Sequence, residues 1–352
     1  MSRSERKTRS LLLGGLRLGG DAPVLVQSMN NVPLNDVEGN VQQLFDLQAA
    51  GCEISRLAVP NAEALASLKE IVRKSPLPLV ADIHFDYRLA LGAIEAGVAA
   101  LRLNPGNLTA EGVAEVAKAA KAAKIPIRVG VNSGSISARI LAEEGGINTR
   151  ALCRSALEAV EILEKENFTD ICVSLKTPHA PLLIEANRAF AELRDYPLHL
   201  GLTESGTVKK GSIRSAAALA PLLYEGIGDT IRISLSGDPV EEVRTAWQIL
   251  ESLELRRRGS RVISCPGCGR TQVEIQTLAE QVEAYLEDLP LELTVAVMGC
   301  AVNGPGEARE ADLGIAGGRK EYLLFAEGKP LYKVPESEAF SALKKEISKF
   351  LK

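Results

Sequence analysis

The sequence has few of the residues that nucleic-acid-binding and membrane-spanning proteins need. Aromatic residues make up 4% of its 352 residues, and 45 acidic side chains outnumber 41 basic ones, for a formal net charge of −4. Proteins that bind nucleic acids usually carry a basic surface, and many stack bases on aromatic rings. No run of 18 or more apolar residues occurs, so we expect no membrane span. The composition predicts a soluble cytoplasmic protein that binds neither nucleic acid nor membrane.

Cysteine and histidine are also scarce, with six and three residues respectively. Six cysteines in a chain of this length are too few for a disulfide scaffold, which favours metal or redox use in a reducing compartment. Cys52, Cys153 and Cys172 fall inside predicted strands or helices, and we expect them to be small buried hydrophobic residues. The other three cysteines lie together near the C-terminus and are candidates for chemistry.

A strand-and-helix pattern repeats eight times before residue 254. The predicted strands run from Val24–Gln27 to Thr230–Leu235, and an amphipathic helical pattern follows each one. Eight repeats over roughly 230 residues fit a (β/α)8 TIM barrel better than an open doubly wound sheet. No G-x-G-x-x-G follows the first strand, which argues against a dinucleotide-binding fold. Earlier in the chain, Leu11–Leu13 and Leu16–Leu18 flank two glycines and predict a hairpin that plugs one end of the barrel.

A charged segment that ends in glycine and serine, Glu254–Ser260, follows the eighth helix and predicts a linker. We therefore expect two domains, a substrate-binding TIM barrel at residues 1–254 and a smaller α+β domain at residues 260–352. The smaller domain has a predicted helix at Gln272–Leu286, three strand-like runs that begin with Leu293–Met298, and a closing helix at Glu336–Lys352. About 90 residues are too few for a second barrel.

The clustered cysteines and a glutamate have the spacing of metal ligands. Cys265, Cys268, Cys300 and Glu307 form the pattern C-x2-C-x31-C-x6-E within glycine-rich stretches. Thiolates favour zinc or iron–sulfur, and no histidine follows His199 to complete an all-nitrogen-and-sulfur zinc site. The pattern favours an iron–sulfur cluster whose carboxylate ligand can exchange. A zinc site completed by Glu307, and a redox C-x-x-C pair that leaves Cys300 without a role, remain alternatives.

Cations and amides recur at the carboxyl ends of the predicted strands, where TIM barrels carry their active sites. Residues two or four apart on a strand share a face, so these side chains are expected to converge. Five converging cations would repel each other without a polyanion, and arginine forks with a lysine match the oxygens of a diphosphate. Glu204, after the seventh strand, is a candidate acid or base or the partner of a cation. The predicted substrate-binding residues are Arg56, His84, Arg102, Asn104, Arg128, Asn132, Ser174, Lys176, Arg232 and Ser234.

Short motifs at the strand ends and in the cysteine stretches carry a resemblance to a known family. They are Gln27-Ser-Met29, Asp82-Ile-His84-Phe, Arg102-Leu-Asn104-Pro-Gly106, Arg128-Val-Gly-Val-Asn132, Ser174-Leu-Lys176, His199-Leu-Gly-Leu-Thr203-Glu204, Arg232-Ile-Ser234, Cys265-Pro-Gly-Cys268-Gly-Arg270 and Gly299-Cys300-Ala-Val-Asn303-Gly-Pro-Gly-Glu307. From about Arg9 to the C-terminus the chain resembles the bacterial 4-hydroxy-3-methylbut-2-enyl diphosphate synthases. It is similar to their shorter form, which has two domains.

The resemblance implies a reaction and a cofactor. The implied substrate is 2-C-methyl-D-erythritol 2,4-cyclodiphosphate, and the reaction is a two-electron reductive ring opening with loss of water in the methylerythritol phosphate route to isoprenoids. The implied ligands of a [4Fe–4S] cluster are Cys265, Cys268, Cys300 and Glu307. Glu204, Asn303 and Glu307 are the implied catalytic residues, with Asn303 near the cluster.

The resemblance also implies partners. Reduced flavodoxin or ferredoxin would supply the electrons. A head-to-tail homodimer would let the cluster domain of one subunit cap the barrel of the other, with opening and closing about the linker Glu254–Ser260.

Two functions from other classes remain possible at this stage. A transferase barrel of the dihydropteroate synthase kind, with a zinc-bearing second domain, would bind a diphosphate without using electrons. A non-catalytic iron–sulfur electron carrier would leave the five strand-end cations unexplained.

Overall fold

The computed structural model describes residues 6–287, 289–300, 308 and 310–351. The chain divides into two compact units, Met1–Arg256 and Arg257–Lys352. They are called here the barrel unit and the C-terminal unit. No helix among the residues described is long and apolar enough to cross a membrane.

In the described part of the barrel unit, a hairpin is followed by eight parallel strands. The strands of the hairpin are β1 (Leu11–Leu13) and β2 (Leu16–Leu18). Those of the barrel are β3 (Leu25–Met29), β4 (Ile54–Ala58), β5 (Leu79–Asp82), β6 (Ala100–Leu103), β7 (Ile127–Asn132), β8 (Ile171–Lys176), β9 (His199–Leu200) and β10 (Thr230–Ile231). Their order in the sheet is β8-β7-β6-β5-β4-β3-β10-β9, and a parallel bridge between Val173 and Leu198 joins the two ends. The predicted TIM barrel is confirmed.

Within residues 6–256, nine α-helices surround the strands. They are α1 (Val37–Ala50), α2 (Ala64–Lys74), α3 (Tyr87–Glu95), α4 (Ala110–Ala123), α5 (Ala138–Glu144), α6 (Thr149–Lys165), α7 (Ala180–Leu193), α8 (Val208–Tyr224) and α9 (Pro239–Ser252). Polar caps begin several of them: the side chains of Asp36, Thr109 and Asn148 accept hydrogen bonds from backbone amides of the first turn. The helices bury their apolar faces against the outer faces of the strands.

The hairpin closes the amino-terminal end of the barrel, as predicted. Leu11, Leu13 and Leu18 are buried in one cluster with Leu25 and Ile54, near the starts of β3 and β4, and with Val80, Ala100 and Cys172 from neighbouring strands. At Gly14, φ is +55°, and an added Cβ would overlap Pro78. The turn therefore requires glycine. Because apolar side chains fill the lower interior, the polar interior side chains lie nearer the carboxyl ends of the strands.

Several predicted boundaries were wrong. β9 and β10 have two residues each, shorter than the predicted Leu198–Leu202 and Thr230–Leu235. Regular pairing ends there because the chain turns into the loops that carry polar groups, although the amide of Arg232 still donates to the carbonyl of Leu200. The seven-residue helix α5 was missed because it is too short to show a clear helical period. Cys52, Cys153 and Cys172 are buried as predicted, but Cys52 lies in the turn after α1.

The described residues of the C-terminal unit form an α+β sandwich of one sheet and two α-helices. Its strands are β11 (Arg261–Ser264), β12 (Thr294–Met298), β13 (Leu313–Gly317), β14 (Glu321–Ala326) and β15 (Lys329–Pro335), and its helices are α10 (Ile275–Glu287) and α11 (Ala339–Ile347). The strands β11, β12 and β13 are parallel, and β14 pairs antiparallel with both β13 and β15. Sequence reasoning missed β11, whose residues are exposed or partly exposed, and β15, which is a largely exposed edge strand. Because β11 and β12 are parallel, the segments after Ser264 and Met298 leave the sheet at the same edge.

Candidate active site

The upper interior of the barrel is lined by charged side chains. Arg56, Arg102, Arg128, Lys176 and Arg232 come from five different strands or from the residue just after a strand. These cations are close enough to interact, because the positive charges of Arg56, Arg128, Arg232 and Arg102 all disfavour the charged form of Lys176. The five cations predicted from the strand ends therefore converge on one region.

Asp82 holds two of these cations. Its carboxylate accepts a hydrogen bond from Nη1 of Arg102 at 3.0 Å and lies 3.6 Å from Nε of Arg56. Burial alone would raise the pKa of Asp82, but Arg56 and Arg102 outweigh it and hold the pKa below its usual range. His84 lies at the rim, 57% exposed, with Nε2 3.7 Å from the same carboxylate. Asp82 thus keeps Arg56 and Arg102 in fixed positions beside each other.

Glu242 holds a third cation and was missed by sequence reasoning. Its side chain comes from α9, is 4% exposed, and accepts hydrogen bonds from Nε and Nη2 of Arg232 at 3.2 and 3.1 Å. It also accepts from Oγ of Ser28 at 3.0 Å and from the amide of Leu235 at 3.1 Å. A glutamate that shares a helix face with Ala246 and Ile249 is unusual, and this was the signal available in the sequence.

The remaining two cations have no acidic partner in the part of the chain that the structure describes. Arg128 donates from Nη1 to the side-chain oxygen of Gln27, while its Nε and Nη2 are buried without a hydrogen-bond partner. Burial and the nearby arginines lower the pKa of Arg128 to about 10 and hold the pKa of Lys176 well below its usual value. Both side chains are 6% exposed. Buried cations without counter-charge are costly, so this pair is suited to an anion from outside the chain.

Glycine makes room for these long side chains. A Cβ at Gly201 would lie 2.8 Å from Nζ of Lys176, and a Cβ at Gly130 would overlap the guanidinium of Arg102. Gly130 is on β7 and Gly201 directly follows β9, and each lies next to a cation of a neighbouring strand. The crowded cations therefore depend on two positions without side chains.

His199 lies among the cations and is fully buried. Neither of its ring nitrogens has a hydrogen-bond partner within the described residues. Burial lowers the pKa of His199 far below its usual value, and Arg128, Lys176, Arg56 and Arg232 lower it further. The imidazole is consequently neutral at pH 7, which adds no further positive charge to the site.

The polar residues predicted beside the cations occupy the same end of the barrel. Ser174 is buried on β8, two residues before Lys176, and Ser234 is half-buried after β10. Asn104 caps a short turn, with Oδ1 accepting from the amide of Gly106 at 3.1 Å, and the backbone of Asn132 exchanges hydrogen bonds with Oγ of Ser135. The amide of Asn104 is therefore partly engaged in loop structure.

Glu204 lies on the loop after β9 and differs from the other acids of this site. Its side chain is exposed and has no ion pair in the described part of the chain, whereas Asp82 and Glu242 are engaged by arginines. Its backbone has φ of +52°, a left-handed conformation that a residue with a Cβ adopts at some cost. Strained backbone of this kind is often found at functional positions.

Three cysteines lie at one edge of the C-terminal sheet. Cys265 follows β11 and its sulfur accepts a hydrogen bond from the amide of Gly299 at 3.2 Å, so the two cysteine segments touch. Cys300 is buried and Cys268 is exposed. The backbone amide of Arg270 donates to the sulfur of Cys268 and lowers its pKa, which favours a thiolate. Among the described residues no group of three or more His, Cys, Asp or Glu is close enough to hold a metal ion. Asn303 and Glu307 lie outside the described residues.

Two neighbouring glutamates on α9 test the role of the buried carboxylate. Replacing the buried Glu242 with alanine leaves the partly buried Arg232 without its partner, and we expect it to lower the free energy of unfolding by about 3–5 kcal/mol. Glu241 pairs with Arg244 at the surface, so Glu241→Ala is expected to cost less than about 1 kcal/mol. Urea unfolding of both variants measures the difference. Equal costs would contradict the assignment of Glu242 as the partner of Arg232.

Comparison with known proteins gives the same division of the chain at the level of sequence. Residues 8–247 match the model of the GcpE TIM-barrel domain, and residues 261–349 match that of the GcpE protein C-terminal domain. Among solved structures, a dihydropteroate synthase from Stenotrophomonas maltophilia is similar to 70% of this chain and to 99% of its own, with a TM-score of 0.51 and 16% identity. That likeness shows a shared barrel fold alone.

Relatives named 4-hydroxy-3-methylbut-2-en-1-yl diphosphate synthase (flavodoxin) are similar over nearly the full length. The protein of Caldanaerobacter subterraneus subsp. tengcongensis is 50% identical over 100% of this chain and 99% of its own. That of Geobacter sulfurreducens is 50% identical over 98% of both chains. With both domain models matched in order, the chain belongs to the GcpE family.

Proposed function

We propose that the chain catalyses the two-electron reductive ring opening of 2-C-methyl-D-erythritol 2,4-cyclodiphosphate, with loss of water, to 4-hydroxy-3-methylbut-2-enyl diphosphate. The names of its relatives supply the product. The observation that carries the proposal is the pair Arg128 and Lys176, two buried cations without an acidic partner in the described chain. A diphosphate supplies the negative charge that this region needs.

Binding of the diphosphate follows from how the cations are held. Asp82 and Glu242 fix Arg56, Arg102 and Arg232, so three guanidinium groups are oriented before the substrate arrives. Arg128 and Lys176 make the strongest new contacts because they have no other counter-charge. As the ring opens, negative charge develops on the departing diphosphate oxygen, and preorganised cations stabilise it. His84, Asn104, Asn132, Ser174 and Ser234 are proposed to orient the rest of the substrate.

Loss of water requires a proton at the departing hydroxyl group. Asp82 and Glu242 are engaged by arginines, which leaves Glu204 as the exposed carboxylate at this end of the barrel among the predicted site residues. We assign proton transfer to Glu204. Asn303 is proposed to be a further catalytic residue, one that contacts the reacting end of the substrate.

The cysteines of the C-terminal unit support the proposal of an iron–sulfur cluster by their chemistry. Thiolates on adjacent segments at one sheet edge are the ligands that iron–sulfur clusters use. The residues that would hold a [4Fe–4S] cluster are Cys265, Cys268, Cys300 and Glu307. When bound, the cluster supplies the two electrons of the reaction one at a time. We propose reduced flavodoxin as the electron donor, with ferredoxin as the alternative, because the relatives carry flavodoxin in their names.

The cations and the cysteines lie in different units, so the reaction needs the two kinds of site to meet. We propose a head-to-tail homodimer in the cytoplasm, in which the C-terminal unit of one subunit serves the barrel of the other. The domains proposed to act in this way are residues 1–254 and 260–352, joined by the linker Glu254–Ser260. Such an arrangement makes each active site a product of two chains.

The proposed reaction is tested with protein purified without oxygen. We expect about four irons per chain and reduction of the cyclodiphosphate by reduced flavodoxin. Cys300→Ala is expected to lose both the iron and the turnover, because it removes a proposed ligand. Cys153→Ala, which alters a buried cysteine of α6, should keep both. A colourless protein that holds stoichiometric zinc and does not reduce the substrate would contradict the proposal.

The dimer is tested by mixing two inactive chains. A Cys300→Ala chain keeps the cations, and an Arg128→Ala chain keeps the cysteines. If one subunit serves the other, the mixed dimer contains one complete site, and activity is expected to reach up to about one quarter of the wild-type value for random pairing of equal amounts. Each variant alone is the control. No activity in a mixture shown by mass spectrometry to contain heterodimers would overturn the arrangement.

A further inference from the structure

Arg214 forms hydrogen bonds with two loops of the proposed site, the loop after Lys176 and the loop that carries Glu204. It lies in the second turn of α8, and its guanidinium donates to three backbone carbonyls. Nη1 donates to the carbonyl of Glu204 at 3.2 Å and to that of Ser205 at 2.9 Å. Nη2 donates to the carbonyl of Pro178 at 3.0 Å. Pro178 follows Lys176 by two residues, so one side chain joins the loop after Lys176 to the loop of Glu204.

The other described hydrogen bonds of the Glu204 loop hold its two ends and the side chain of Ser205, and leave the backbone carbonyl of Glu204 to Arg214. The amide of Thr203 donates to the carbonyl of Thr177 at 3.3 Å, and the carbonyl of Gly206 accepts from the amide of Ser236 at 2.9 Å. Oγ of Ser205 donates to the carbonyl of Leu202 at 3.2 Å and accepts from Oγ of Ser215. No described contact other than that of Arg214 is made by the backbone carbonyl of Glu204 itself.

The backbone conformation of Glu204 is unfavourable and must be held by the surrounding structure. Its φ of +52° is unfavourable for a residue with a Cβ. A strained backbone persists when the surrounding structure determines it from several sides. The forked guanidinium is suited to this task because its planar donors can reach carbonyls of two loops at once, which a lysine ammonium cannot reproduce with the same geometry.

Resting on the proposed function, we infer that Arg214 is a positioning residue that sets the backbone of Glu204 relative to Lys176. It acts on the chemical step through Glu204 and makes no contact with the substrate. When a catalytic carboxylate is displaced by about 1 Å, the reaction rate falls by a factor on the order of a hundred. Substrate affinity depends instead on the cations, which Arg214 does not touch in the described chain.

The inference is tested with Arg214→Ala, Arg214→Lys and the control Lys210→Ala, an exposed residue one turn earlier on α8. In the iron-loaded dimer, we expect Arg214→Ala to lower kcat by roughly 10- to 100-fold and to change KM less than threefold. Arg214→Lys should recover part of kcat, and added guanidinium should partly restore Arg214→Ala. Lys210→Ala should match wild type.

Hydrogen–deuterium exchange gives a second readout that does not depend on activity. Exchange in the peptide spanning Thr203–Gly206 should be faster in Arg214→Ala than in wild type and Lys210→Ala, with Tm unchanged. The inference is overturned if exchange there is unchanged, if kcat stays within twofold of wild type, or if kcat falls only in proportion to lost folded protein. A wild-type chain that fails to reduce the cyclodiphosphate would instead refute the proposed function, while the exchange measurement would still decide whether Arg214 holds the loop.

Discussion

Repulsion among five cations inside the barrel is the constraint on which the rest of the site depends. Like charges at this density destabilise a fold unless each is paired or an anion arrives. Two buried carboxylates hold three arginines, while Arg128 and Lys176 have no acidic partner among the described residues. The neutral state of His199 limits the excess of positive charge. The cost in stability of these buried cations is therefore consistent with the proposed diphosphate site, because functional sites are commonly less stable than they could be.

The fold supports this arrangement from below and from outside. The hairpin β1–β2 fills the lower interior with leucine, so the cations lie near the carboxyl ends of the strands. Glu242 reaches Arg232 from the helix layer, and Arg214 reaches the loop of Glu204 from α8. Residues outside the barrel interior thus set the positions of groups that are proposed to contact the substrate, as catalytic sites generally require.

The sequence predicted the parts of the molecule that have a repeating or strongly spaced pattern. Eight strand-and-helix repeats were sufficient for the TIM barrel, and alternation along the strands placed the five cations on one face. The pairing of those cations could not be predicted. Glu241 and Glu242 are adjacent and look alike in sequence, yet only Glu242 turns toward the core. The left-handed backbone conformation of Glu204 could not be predicted either, because nothing in its residue type requires it. Such features depend on which long-range contacts form.

The central claim is that Lys176 is retained for an anion at a cost to stability. Thermal unfolding of the wild-type protein and of Lys176→Met, with and without inorganic diphosphate, tests it most directly. Trp247, the single tryptophan, lies in α9 of the barrel unit and reports its unfolding by fluorescence. The account predicts that Lys176→Met has the higher Tm without diphosphate, and that diphosphate raises the Tm of wild type more than that of the variant. A variant with a lower Tm and an undiminished response to diphosphate would contradict the account.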